Sequence, residues 1–199
     1  MRDVARLIGI FAALTWLLGP GAGSAADPEA GQRKAEVCAP CHGPDGNSTN
    51  PAIPSLAGQP PLYTYYQLIQ FREGQRVDPQ MSPFALGLSD ADMQDIAAYY
   101  AAQTPAAPSS TGDPAKMEAG RRLVQMHHCD SCHAPGLVGQ KHIARLAGQH
   151  YEYLLKQLRA YKAQIRPDME GSMTMAAQPL SEDDIELLAY YISHLGPTP

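Results

Sequence analysis

The chain has 199 residues, 44% of them hydrophobic and 18% charged, with a formal net charge of −5 at neutral pH. An acidic chain without runs of Lys or Arg is a poor fit for nucleic acid, because contacts to phosphate need clustered cations. No nucleic-acid partner is expected.

The first 26 residues stand apart from the rest: Arg2 and Arg6 lead an apolar run from Leu7 to Leu18, which Ala22, Gly23, Ser24, Ala25 and Ala26 close. This is the pattern of a secretory signal peptide over residues 1–26, cleaved after Ala25 or Ala26. Its apolar run is too short to cross a bilayer core of about 30 Å, and no later segment approaches the roughly 20 apolar residues a spanning helix needs. The mature chain is therefore expected in the periplasm, without a membrane span, touching a membrane at most peripherally. It keeps 13 Lys and Arg against 19 Asp and Glu, a net charge of −6. Residues 27–104 carry 4 basic and 9 acidic side chains and residues 113–199 carry 9 and 10, so the second half is much the less negative.

An offset of about 90 residues superimposes Leu56-Ala57-Gly58-Gln59 on Leu146-Ala147-Gly148-Gln149 and exposes an internal repeat. Each half runs through a Gly-led helix (Gly31, Gly120), a Cys-x-x-Cys-His, the Leu-Ala-Gly-Gln turn, a Tyr-rich helix, an Arg-x-Asp loop, a Met and a closing helix. The spacing predicts middle helices over 62–71 and 151–161. Ser89-x-x-Asp92 and Ser181-x-x-Asp184 are start signals for the closing helices, whose stripes Met93, Ile96, Ala97, Tyr100 and Ile185, Leu188, Ala189, Ile192 have helical spacing. Nothing alternates as a strand would, so the fold class is all-α, built as two tandem domains over 27–104 and 115–199. Residues 105–114, rich in Pro and Ser, read as the linker. Domains of this size have marginal cores, which a bound prosthetic group helps to fill.

All four cysteines fall in Cys38-Ala39-Pro40-Cys41-His42 and Cys129-Asp130-Ser131-Cys132-His133, the attachment signature of c-type haem. Two thiols at this spacing each add to one vinyl group, and His42 and His133 then stand beside the iron as proximal ligands. Structural zinc would want the two Cys pairs about 15 to 20 residues apart, and 87 residues separate Cys41 from Cys129. A thioredoxin-like redox pair would want a βαβ context, and two disulfides would leave both histidines unexplained. Two covalently bound haem c groups are expected. Attachment of this kind occurs outside the bacterial cytoplasm, in agreement with the export signal.

An electron-transfer haem closes its sixth position with a second strong ligand, commonly Met. Met81 stands seven residues before Leu88, and the same count back from Leu180 gives Met173, with Met169 and Met175 as nearby rivals. Met93, Met117 and Met126 read as core filler. His127, His128, His142, His150 and His194 read as surface or supporting residues.

These features together resemble the cytochrome c4 family of di-haem bacterial proteins over nearly the whole mature chain. Arg76-Val77-Asp78 and Arg166-Pro167-Asp168 ahead of the distal Met, and the endings Ala97-Ala98-Tyr99-Tyr100 and Leu188-Ala189-Tyr190-Tyr191, extend the match. The resemblance implies two class I cytochrome c folds, with Gly31 against Tyr99 and Gly120 against Tyr191 at close helix crossings, and two haems facing one another across the domain interface. It also implies that a Pro54 carbonyl holds His42. The second half has Ala144 at that place and one residue fewer between His133 and Leu146, so unequal haems are expected.

The chemistry expected is outer-sphere transfer of single electrons between respiratory donors and a terminal oxidase or similar acceptor, without enzymatic turnover. Redox partners would be a terminal oxidase, a cytochrome bc-type complex or a dehydrogenase. The alternatives are a cytochrome subunit of a dehydrogenase, such as a sulphide dehydrogenase, and a di-haem peroxidase-type enzyme, which would need an iron that can open.

Overall fold

The computed structural model describes residues 25–196, so residues 1–24 of the expected signal peptide and residues 197–199 lie outside the described residues. Five α-helices build the first half: α1 (Pro28–Lys34), α2 (Ala39–His42), α3 (Pro61–Arg72), α4 (Ser82–Ala85) and α5 (Asp90–Ala101). Five more repeat the order: α6 (Pro114–Met126), α7 (Cys129–His133), α8 (Tyr151–Lys162), α9 (Ser172–Ala177) and α10 (Glu182–Ser193). Among the described residues no strand forms, only an isolated bridge between Gln140 and Ile143.

Local chemistry sets the helix ends. Asp27 and Asp113 accept from the first backbone N–H groups of α1 and α6, each of which begins on Pro. Ser89 and Ser181 close full capping boxes with Asp92 and Asp184, as their spacing predicts. Stripes on α5 and α10 then form the two cores: Met93, Ile96, Ala97 and Tyr100 in one, Ile185, Leu188, Ala189 and Ile192 in the other, all at most 3% exposed.

The first helix of each half crosses the last at very short range. A Cβ on Gly31 would lie 2.0 Å from the Asp95 carbonyl oxygen and 2.9 Å from the Tyr99 Cβ, and one on Gly120 would lie 2.2 Å from the Tyr191 Cβ. No side chain larger than hydrogen fits at either crossing. Lys34, at the end of α1, reaches Asp92 and Asp95 on α5 at 2.7 and 2.6 Å and adds a charged staple.

Each Leu-Ala-Gly-Gln turn is pinned to the end of its closing helix, Gly58 N–H donating to the Tyr100 carbonyl at 2.9 Å and Gly148 N–H to that of Ile192 at 3.0 Å. The segment between α5 and α6 has no helix, and Asn47 anchors its start by donating to the Thr104 carbonyl at 3.0 Å and accepting from Ala106 N–H at 2.8 Å.

Candidate functional site

Each Cys-x-x-Cys-His is a short helical turn that sets its residues in the same arrangement. Cys38 caps α2, and Cys129 opens α7. None of the four cysteines is in a disulfide; Cys41 and Cys132 are exposed, while Cys38 and Cys129 are partly buried. Burial pushes the Cys38 thiol up, partly offset by the neighbouring Tyr100 hydroxyl, and pushes Cys129 up to about 11.

The two histidines are buried, His42 4% exposed and His133 6%. His42 Nδ1 lies 2.9 Å from the Pro54 carbonyl oxygen, and His133 Nδ1 lies 2.8 Å from that of Ala144. Burial lowers the pKa of each imidazole, and the carbonyl bond opposes the shift only in part. The neutral ring thus keeps its proton on Nδ1 and leaves the Nε2 lone pair free to ligate. Ala144 replaces Pro54 without loss of this bond, and the shorter loop of the second half does not lengthen it.

The backbone is matched on both sides of the shorter loop. In the first half Gly43 and Gly46 take positive φ, and in the second Ala134 and Leu137 do so, at φ 66° and 58°. Leu137 C=O accepts from Leu146 and Ala147 N–H at 2.8 and 3.1 Å, as Gly46 C=O does from Leu56 and Ala57 at 2.6 and 3.1 Å.

The distal candidates also correspond. Asp78 Oδ1 accepts from Met81 N–H at 3.2 Å, and Asp168 Oδ2 accepts from the N–H groups of Met173 and Thr174. Met81 sits just before α4, while Met173 lies inside the first turn of α9. Both are partly buried, whereas the rivals Met169 and Met175 are 57% and 69% exposed. Of the three methionines expected as core filler, Met93 is fully buried and Met117 partly buried, but Met126, the last residue of α6, is 67% exposed.

Between the halves lies a set of polar contacts that the sequence did not reveal. Arg76 donates to Gln67 at 2.6 Å, Tyr153 at 3.2 Å and Gln157 at 3.3 Å. Arg166 returns the pattern, donating to Gln157, to Gln67 at 3.0 Å and to Tyr63 at 3.3 Å. Burial alone would lower the Arg166 pKa, but Tyr63, Tyr153 and Tyr161 around it raise it; burial lowers that of Arg145. Among the described residues, Arg76, Arg145 and Arg166 form no ion pair with a carboxylate. Arg145 Nη2 and Arg166 Nε are buried with no acceptor. Buried cations without a protein counter-charge suit a group that brings carboxylates of its own, as haem does through its propionates. Free thiol pairs, imidazoles with Nε2 uncommitted and these unpaired donors all fit haem.

Three of the remaining histidines have partners for their side chains, one of them across the halves. His150 Nε2 lies 2.9 Å from the Ser48 carbonyl of the other half, His194 Nδ1 lies 2.7 Å from the Tyr190 carbonyl, and His142 lies 3.4 Å from Glu170.

Comparison with known proteins gives a family model for cytochrome c over residues 117–196 and one for cytochrome c oxidase, cbb3-type, subunit III over residues 25–99. A cytochrome c4 from Thiocapsa roseopersicina is 38% identical across 85% of this chain and 93% of its own. A thiosulfate dehydrogenase electron acceptor from Stutzerimonas stutzeri strain A1501 is 34% identical across 81% of this chain and 80% of its own. The crystal structure of reduced recombinant cytochrome c4 from Pseudomonas stutzeri superimposes with a TM-score of 0.79 at 37% identity, covering 86% of this chain and all of that one.

Proposed function

The chain belongs to the cytochrome c4 family, and from that premise we propose that it is a periplasmic carrier passing single electrons from respiratory donors to a terminal oxidase or similar acceptor. It is a di-haem electron carrier with two covalently bound haem c groups. Cys38 and Cys41 would hold one haem and Cys129 and Cys132 the other, with His42 and Met81, and His133 and Met173, on the two irons. Residues 27–104 and 115–199 are the two haem domains in this reading, joined by 105–114.

The observation that carries the reading is the pair of histidine–carbonyl bonds, one directly after each thiol pair. Pro54 and Ala144 fix the tautomer and plane of the two rings, so each Nε2 is presented in one orientation. Asp78 and Asp168 fix the backbone of Met81 and Met173, giving each methionine one defined origin. Each haem, once bound, supplies a one-electron Fe(III)/Fe(II) couple, raised in potential by a thioether ligand. In this reading the protein excludes water, orients the ligands and would supply cations, Arg145 and Arg166, for the propionates.

Replacing Cys38 and Cys41 by Ser should halve the covalent haem content measured by mass spectrometry and pyridine haemochrome absorbance. Retention of two covalent haems would overturn the attachment sites. A low-spin resting ferric spectrum without peroxide turnover is expected, and a high-spin resting iron with rapid turnover would favour an enzyme.

A second reading draws on the relative named as a thiosulfate dehydrogenase electron acceptor. In that reading a dehydrogenase donates the electrons. Stoichiometric co-purification with a dehydrogenase would select it, and a free monomer that reduces an oxidase would select the carrier.

A further inference from the structure

The peptide groups that hold the proximal histidines are shared between the halves. The Pro54 carbonyl that meets His42 belongs to the same peptide unit as the Ser55 N–H, which donates 2.9 Å to Oε1 of Gln149 in the other half. Gln149 Nε2 donates to the Ser55 carbonyl, also at 2.9 Å, and completes a two-bond ring. The arrangement is repeated under exchange of the halves. The Ala144 carbonyl meets His133, the Arg145 N–H of the same peptide donates 3.0 Å to Gln59 Oε1, and Gln59 Nε2 donates 2.8 Å to the Arg145 carbonyl. Gln59 and Gln149 are 4% and 6% exposed, so these bonds are made in a low dielectric, where hydrogen-bonded amides polarise one another.

We propose that Gln59 and Gln149 are crossed positioning residues, each setting the redox potential of the haem in the opposite half through one peptide unit. This rests on His42 and His133 being the proximal ligands. An acceptor on the peptide N–H draws its proton and enriches the carbonyl oxygen in charge. The stronger carbonyl pulls on Nδ1–H and makes Nε2 the more basic ligand. A more basic imidazole favours Fe(III), so each Gln holds the opposite potential down. The second bond of each ring fixes the peptide plane and with it the ring orientation.

The test uses the full holoprotein, with Gln59→Leu and Gln149→Leu in parallel and Gln59→Met and Gln149→Met as milder changes. Potentiometric titration is combined with NMR assignment of each centre through its histidine and methionine resonances. Gln59→Leu should raise the potential of the His133 centre by more than twice any shift at the His42 centre, and move the His133 Nδ1–H resonance upfield in the reduced protein. Gln149→Leu should do the converse. His150→Ala, which removes the bond to Ser48 without touching either peptide unit, should move neither centre selectively and serves as the control for a weakened interface. Equal shifts at both centres, or a shift confined to the variant's own half, would overturn the crossed assignment. Potentials that do not respond in a protein with two haems and intact methionine ligation would refute this proposal alone. Loss of haem on neither Cys pair's replacement would instead remove the reading beneath it.

Discussion

Ala134 holds the backbone conformation that Gly43 holds in the other half, φ 66° and ψ 160° against φ 81° and ψ 153°. That region is almost confined to glycine, and an L-residue there carries strain of about 1 to 3 kcal/mol. Ala134→Gly should therefore stabilise the protein by about 1 kcal/mol, after allowing for the greater freedom of glycine in the unfolded chain. Gly43→Ala should destabilise it, since the added Cβ would also lie 2.4 Å from the Asn47 carbonyl oxygen. Guanidinium unfolding of the oxidised holoproteins checks both signs.

The helix crossings offer a second measurement. Gly31→Ala and Gly120→Ala place a methyl group against backbone or Cβ atoms that no rotamer change can move. Each should cost about 1 to 3 kcal/mol and lower the thermal midpoint. Ala30→Gly, one residue away on an exposed-to-intermediate face of α1, should cost less than Gly31→Ala.

Acid should release the staple between α1 and α5. The hydrogen bonds from Lys34 and Ser89 lower Asp92 from 3.8 to about 2, and Asp95 is lowered by the Asp27 N–H and by Lys34. A depressed carboxylate stabilises the fold fully above its unfolded pKa and loses that contribution as protons bind the folded form. Stability should thus fall between pH 4 and 2, read as urea midpoints across that range. Lys34→Met should be the weaker protein at pH 5, with the difference from wild type shrinking towards pH 2.

The second distal ligand can be decided optically. Met173→Ala should abolish the sulphur-to-iron charge-transfer band of one haem, whereas Met175→Ala should leave both bands in place. The expectation rests on Asp168 anchoring Met173 and on the exposure of Met175. A band lost with Met175 and kept without Met173 would exchange the roles.

Much of this was legible in the sequence because it is local. The capping boxes at Ser89 and Ser181, the core stripes after them and the thiol pairs are short-range patterns, each dictated by one helix or one turn. Gly31 and Gly120 were legible only through the resemblance, as periodicity does not say which helix a glycine meets. The contacts of Gln59, Gln149, Arg76, Arg166 and His150 were not legible at all. They depend on how one half lies on the other, which no local spacing encodes, although four of them do sit at matching repeat positions. Met126 was misread because a methionine in a helix with apolar neighbours looks internal until the buried face is known. Ala134 gave no warning, since alanine at a glycine position is invisible without the backbone.

Tyr63, Gln67 and Arg76 exchange partners with their counterparts Tyr153, Gln157 and Arg166. A seam that maps onto itself when its two sides are swapped has the geometry of an isologous homodimer. Each bond that one side makes to the other is thus returned, so that loss of Arg76 or of Arg166 leaves the converse half of the seam in place.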